Sequence, residues 1–246
     1  MKPGPNFLDQ MRRFGREWQQ GEHVLITGPT KSGKTTLARH VVEERIKRGG
    51  FCMVLIGKLT PDPTIAEEYK GWARWDSVRT PITHRFRAPA PHESKILLQP
   101  DIDKVKSVPA KRDIQRAVFR DVFDYLADKG RWTVQIDEGL YTADPQFLNL
   151  GRELGMIHNL GRTSNVSLVT LAQRPAHLPR VLYSAAAHAF AGRAATFDDR
   201  KRLAELPGNW DQKSLNSRIA TQGRHEFTWI PVAVDDGKLE TVDVSK

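Results

Sequence analysis

Residues Gly28-Pro29-Thr30-Lys31-Ser32-Gly33-Lys34-Thr35 fill every fixed position of the pattern G-x-x-x-x-G-K-[ST]. Such a loop has a strict context. An apolar strand must deliver it to a sheet edge, and a helix must leave it so that backbone N–H groups point inward at an anion. Both are present. His23–Thr27 (HVLIT) is a short apolar run bounded by glycines, and a helical pattern over roughly 34–48 follows, closed by Gly49-Gly50. Glycines let the backbone approach a phosphate closely. Gly28, Pro29, Thr30, Lys31, Ser32, Gly33, Lys34, Thr35 and Thr36 are therefore expected to bind ATP. Lys34 reaches the β- and γ-phosphates, and the Thr35 hydroxyl holds Mg2+.

Further strands alternate with helices. Phe51–Ile56, Lys95–Leu98, Trp132–Ile136, Val166–Ala172, His188–Ala191 and Phe227–Val234 read as strands. Residues 6–20, 111–129, 145–162 and 198–206 read as helices. The pattern predicts an α/β fold with a mostly parallel sheet covered by helices on both faces. The expected division is an N-terminal helical extension (1–21), one nucleotide-binding domain (22–235) with an irregular insertion at 57–95, and a C-terminal tail (236–246).

The strand WTVQI ends in Asp137-Glu138. An acid at the carboxyl end of a parallel strand lies where ligands bind in such sheets. Asp137 is expected to hold Mg2+ through its water shell, and Glu138 to polarise an attacking water as a general base. A P-loop kinase passing phosphate to a small molecule needs no such Glu, so the pair favours hydrolysis. Gln173 ends the strand VSLVTLA, where its amide could sense a γ-phosphate or simply be a polar strand exit.

Lys plus Arg number 38 and Asp plus Glu 29, a formal net charge of +9, which favours a polyanionic partner. Cys52 stands alone in an apolar run, so no intramolecular disulfide forms and it reads as a core residue. No stretch approaches the roughly 20 apolar residues that span a bilayer, and the N-terminus lacks the apolar core of a secretory signal. A cytoplasmic protein, or one made in a host cytoplasm, is expected. The histidines are scattered and form no metal-binding pattern, with His84 and His92 in loops.

Leu171-Ala172-Gln173-Arg174-Pro175 resembles the Ala-Thr-Gln-Arg-Pro signature of the FtsK/HerA class of DNA-pumping ATPases. Gly161-Arg162-Thr163 resembles the helix end that carries an arginine before that strand. Asp198-Asp199-Arg200 and Leu206-Pro207-Gly208 look like its downstream pattern. The match runs over roughly residues 22–210. It implies a RecA-like core, a homo-oligomeric ring, often a hexamer, and ATP between subunits. It makes Gln173 a γ-phosphate sensor and Arg162 an arginine finger acting on the neighbour, with Arg152, Arg174 and Arg193 as rivals. The chain departs from the large chromosome-segregation pumps. It has Leu171-Ala172 in place of Ala-Thr, and shows no membrane segment, linker or winged helix. Similar bare motors are genome-packaging ATPases of tailless membrane-containing viruses and small plasmid-transfer relatives. The expected partners are double-stranded DNA, bound without sequence preference, and a capsid or membrane-vertex protein. DNA-contact candidates are Lys58, Lys70, Arg74, Arg79, Arg85 and Arg87 around Trp72 and Trp75, and the trio Arg200, Lys201 and Arg202. Tryptophans such as Trp72 and Trp75 more often pack against the core. A small-molecule kinase and a nucleotide-dependent assembly or export factor remain alternatives.

Overall fold

The computed structural model describes residues 6–60, 62–75, 94–206, 208, 210–232 and 238–245. Strands that are buried on both faces must be apolar throughout, and the runs seen in the sequence become the middle of one sheet. The strands are β1 (His23–Thr27), β2 (Phe51–Leu55), β3 (Ala73–Trp75), β4 (Lys95–Leu98), β5 (Trp132–Ile136), β6 (Ser167–Ala172), β7 (Ala186–Ala191), β8 (Glu226–Pro231) and β9 (Glu240–Asp243). Their order is β3-β4-β2-β5-β6-β1-β7-β8-β9. All pairs from β3 across to β7 are parallel, and β8 and β9 add an antiparallel edge.

Side chains alternate between the two faces, as the pleat requires. Val24 and Ile26 of β1 and Cys52 and Val54 of β2 face a cluster with α1 (Phe7–Glu17) and α2 (Lys34–Ile46). Leu25, Met53 and Leu55 face the other cluster, with α4 (Val108–Lys129) and α6 (Gly151–Ser164). Between these in the chain lie α3 (Pro63–Glu68) and α5 (Gly139–Ala143). After them come α7 (Arg180–Ser184), α8 (Phe197–Ala204) and α9 (Gln212–Thr221). Cys52 is a core residue, and burial pushes its thiol up to about 12.

Several local readings change. The helix expected over 145–162 starts six residues late, as α6, and the short α5 precedes the expected span. Pro145 disfavours helical backbone at Asp144, which is extended and ends α5; α6 starts only at Gly151. The segment 57–95 carries α3, capped by Asp62 with Pro63 in its first turn, and the edge strand β3, which pairs with β4. The tail at 236–246 contributes β9, paired with β8. The strand expected over 227–234 is β8, and residues 233–237 lie outside the described set.

Helix α1 is built into the core. Phe14 is fully buried, 5.3 Å from the Phe190 ring and 5.8 Å from Trp229. The Arg13 guanidinium lies 4.6 Å over Trp229 and 2.5 Å from Glu240. Phe14→Ala is therefore expected to cost about 3–5 kcal/mol, read as a lowered midpoint in urea unfolding.

Three buried histidines predict acid lability. The Leu168 N–H donates to His23 Nδ1 at 3.0 Å, so the ring proton sits on Nε2, 3.1 Å from the His158 carbonyl oxygen. Burial lowers His23 and His188 to about 4, and burial followed by the His23 charge takes His158 well below its ordinary value. A depressed folded-state value contributes stability above the unfolded value and loses it as pH falls. Unfolding free energy should drop between about pH 6.5 and 4, by roughly 3 kcal/mol for His23 or His188. Urea titrations across that range check this; a flat profile would contradict neutral burial.

Candidate nucleotide-binding site

The loop is fastened where β1 leaves the sheet. Gly28 N–H donates to the Ala172 carbonyl at 3.1 Å, and Gly192 N–H donates to the Thr27 carbonyl at 2.7 Å. The backbone then passes through left-handed conformations at Lys31 (φ 62°) and Gly33 (φ 93°). Gly33 is the N-cap of α2 and supplies no side chain to its first N–H groups. A Cβ there would be strained and would stand 2.7 Å from Val244 Cγ2. The helix end is thus suited to an anion. Lys34 Nζ donates across the loop to the carbonyls of Gly28 and Pro29, at 2.7 and 2.8 Å. Thr35 and Thr36 are half-buried, and Thr36 Oγ1 donates to Glu68 Oε1 at 2.5 Å.

Sheet order brings the acids to this loop. Strands β5, β6 and β1 are consecutive neighbours and parallel, so their carboxyl ends share one edge. Gln173 follows β6 between the loop on one side and Asp137-Glu138 on the other. Thr30 Oγ1 donates to Gln173 Oε1 at 3.1 Å, and the Gln173 side chain hydrogen-bonds Glu138. A cleft of about 290 Å3 is lined by residues 30–36, Lys58, Asp62, Thr64, Asp137, Glu138, Leu171 and Gln173.

Burial sets the charges here. It lowers Lys34 to about 8, against the pull of Glu138 and Asp137. Burial raises Asp137, opposed by Lys58. Burial and then the Asp137 charge raise Glu138, opposed by Lys34 and by the Gln173 hydrogen bond. A carboxylate held above its ordinary range beside a phosphate loop is suited to taking a proton.

Asp137 is 7% exposed, and its Oδ2 is buried without a hydrogen-bond partner. A buried carboxylate oxygen that makes no hydrogen bond and lies 3.6 Å from the Lys58 ammonium fits a hard cation. Thr35 and Asp137 would hold Mg2+, with waters and phosphate oxygens completing its shell. Among the described residues no group of three or more His, Cys, Asp and Glu side chains is placed to hold a metal alone.

Other expected residues lie elsewhere. Arg162 sits near the end of α6, its side chain 80% exposed and 3.7 Å from Glu22 at the opposite end of β1 from the loop. It cannot reach the phosphate site of its own chain. Arg152 and Arg193 are exposed; Arg174 lies 3.4 Å from Asp199. Arg200 donates to the carbonyls of Ala194 and Ala195, Arg202 pairs with Tyr183 and Glu205, and Lys201 is exposed. Lys70 and Arg74 are exposed, and Trp72 packs on Tyr69 with ring centroids 5.0 Å apart. Arg79, His84, Arg85, Arg87, His92 and Pro207 lie outside the described residues, as does the Trp75 side chain. Lys58 falls in the cleft, where sequence reasoning had not put it, and Asp62 joins it. The Asp62-Pro63 helix start was readable; the adjacency of β2 to β5 that brings both residues here was not.

A single strand between the loop strand and the acid strand defines a RecA-like P-loop NTPase core. Comparison with known proteins agrees. No family model matches the chain. RecA of Chloroflexus aurantiacus is 45% identical over 47 residues, 19% of this chain and 13% of that protein. RecA of Nitrobacter winogradskyi is 43% identical over 49 residues, 20% of this chain and 14% of that protein. The match thus spans about a seventh of these relatives' length. Among solved structures, the genome packaging NTPase B204 of Sulfolobus turreted icosahedral virus 2 superposes with a TM-score of 0.63 at 13% identity, covering 93% of this chain and 99% of that one. VirB4 of Thermoanaerobacter pseudethanolicus gives 0.62 at 10% identity, over 91% and 89%. The pCW3 conjugation coupling protein TcpA gives 0.53 at 15% identity, over 91% and 60%. At these identities the likeness is one of fold, and in fold the resemblance to FtsK/HerA-type packaging ATPases holds. Among the described residues no helix is long and apolar enough to cross a membrane.

Proposed function

We propose that this chain is an ATP-hydrolysing DNA translocase of the FtsK/HerA type, serving as a viral or phage genome-packaging motor. The observation that carries the reading is the connected row Thr30–Gln173–Glu138 beside the loop. It ties a γ-phosphate sensor to a general base across adjacent strand ends. The loop amides and Lys34 hold the β- and γ-phosphates. Glu138 orients the attacking water and draws a proton from it, and Gln173 senses the γ-phosphate by hydrogen bonding. Mg2+ at Thr35 and Asp137 would neutralise charge on the phosphate oxygens. Arg162 acts on the neighbouring subunit of a ring, with a hexamer favoured, and the basic surface contacts duplex DNA through its phosphates.

Turnover should rise when linear duplex DNA is added, and the stimulation should fade with added salt. Unstimulated turnover at all DNA concentrations would direct attention to an assembly or export role. A cavity of about 520 Å3 adjoins the cleft, shares Asp62 with it and is also lined by Arg74, Gln99 and Asp101. It is the feature that favours the competing reading of a small-molecule phosphotransferase. That reading demands ATP turnover only when an acceptor is supplied.

A further inference from the structure

Lys58 is not one of the residues the motifs assign to the phosphate site, yet it lines the same cleft as Lys34. Its backbone is fixed. Gln115 of α4, fully buried, donates from Nε2 to the carbonyls of Gly57 and Lys58 at 3.2 and 3.3 Å. Gln115 is itself held by the Tyr141 hydroxyl at 3.0 Å. The head group is not fixed in the same way. Lys58 Nζ hydrogen-bonds Asp62 and lies 3.6 Å from Asp137 Oδ2, with 43% of the side chain exposed. Asp62 is anchored in turn as the N-cap of α3, accepting from Thr64 N–H at 2.8 Å. A rigid base therefore carries a partly exposed ammonium, held between two carboxylates at the mouth of a phosphate cleft.

A divalent cation at Asp137 Oδ2 would repel that ammonium. The nearest new anion would be the terminal phosphate of a triphosphate. We propose, on the nucleotide-site reading above, that Lys58 is a second phosphate-binding lysine acting within its own subunit. Asp137 and Asp62 hold its ammonium in reserve, and the γ-phosphate takes it over. The β-phosphate keeps to Lys34 and the loop amides. The distinguishing consequence is selectivity for triphosphate over diphosphate.

The test is equilibrium binding of ATPγS and of ADP, each with Mg2+, to wild type, Lys58→Met, Lys58→Arg and Asp62→Asn. Lys58→Met should weaken ATPγS about 10- to 100-fold, the worth of one charge-assisted hydrogen bond, and leave ADP affinity nearly unchanged. ADP binding also reports that the variant is folded. Lys58→Arg should restore most of the ATPγS affinity. Asp62→Asn keeps the cap, frees the lysine and should not weaken ATPγS. Equal loss of both nucleotides in Lys58→Met, or no loss of either, would overturn the proposal. A wild type that binds neither nucleotide would instead remove the nucleotide site itself.

Discussion

Glu138→Gln is expected to slow ATP hydrolysis by about 100- to 10 000-fold, the usual worth of a positioned general base, with Mg2+–ATP affinity nearly unchanged. The geometry separates the two effects. Glu138 follows β5, opposite the loop, and accepts from Gln173, whereas the loop amides and Lys34 lie on α2 and its approach. Glutamine keeps the side chain's shape and loses its charge and basicity. Lys34→Ala should do the reverse and abolish binding, because it removes the ammonium that spans the loop. The pH profile gives an independent mark. Burial and the Asp137 charge raise the Glu138 pKa, so the acid limb of the wild-type rate should lie above the ordinary value of about 4.3. Activity should rise through that limb as the base deprotonates, and the Gln variant should lack it. Wild-type turnover in Glu138→Gln would show that another group takes the proton.

The second large effect is expected at Arg162. As an arginine finger it is worth about 1000- to 100 000-fold in rate. As a cation at a helix C-terminus it is worth about 0.3–1 kcal/mol of stability. The two roles therefore separate by magnitude. Arg162→Ala should melt within a few degrees of wild type and hydrolyse ATP hardly at all. Its contact with Glu22 is long and its side chain open, so little folding energy is lost. Because Arg162 lies at the far end of β1 from its own loop, the defect must be transmitted between subunits. Mixing Arg162→Ala with wild type should depress activity more steeply than dilution predicts. Strictly proportional loss would move the finger to Arg152, Arg174 or Arg193.

What could be read from the sequence was what short-range pattern determines. The octapeptide at 28–35, the strand before it and the helix after it form one continuous piece of chain, and β5 with Asp137-Glu138 is another. The structure places these pieces where their patterns predicted. Gln173 was visible as a strand end, but its bridging of Thr30 and Glu138 depends on β6 lying between β1 and β5, which only the assembled sheet reveals. Lys58 was read as a DNA contact because its neighbours in sequence are basic and aromatic. Its neighbours in space are Asp62 and Asp137, brought close by the pairing of β2 with β5. Helix α1 was read as an extension from its position in the chain, yet Phe14 packs against rings from β7 and β8. Strand β9 was missed because Glu240–Asp243 is short and polar, and it gains its strand character from β8.

The central claim is a triphosphate held at Lys34 and faced by the carboxylates at the end of β5. Calorimetric titration of ATPγS with Mg2+ into the purified protein tests it most directly. One site per chain, lost in Lys34→Ala and kept in Glu138→Gln, is the predicted result. No heat of binding in the wild type, or binding indifferent to Lys34, would contradict it.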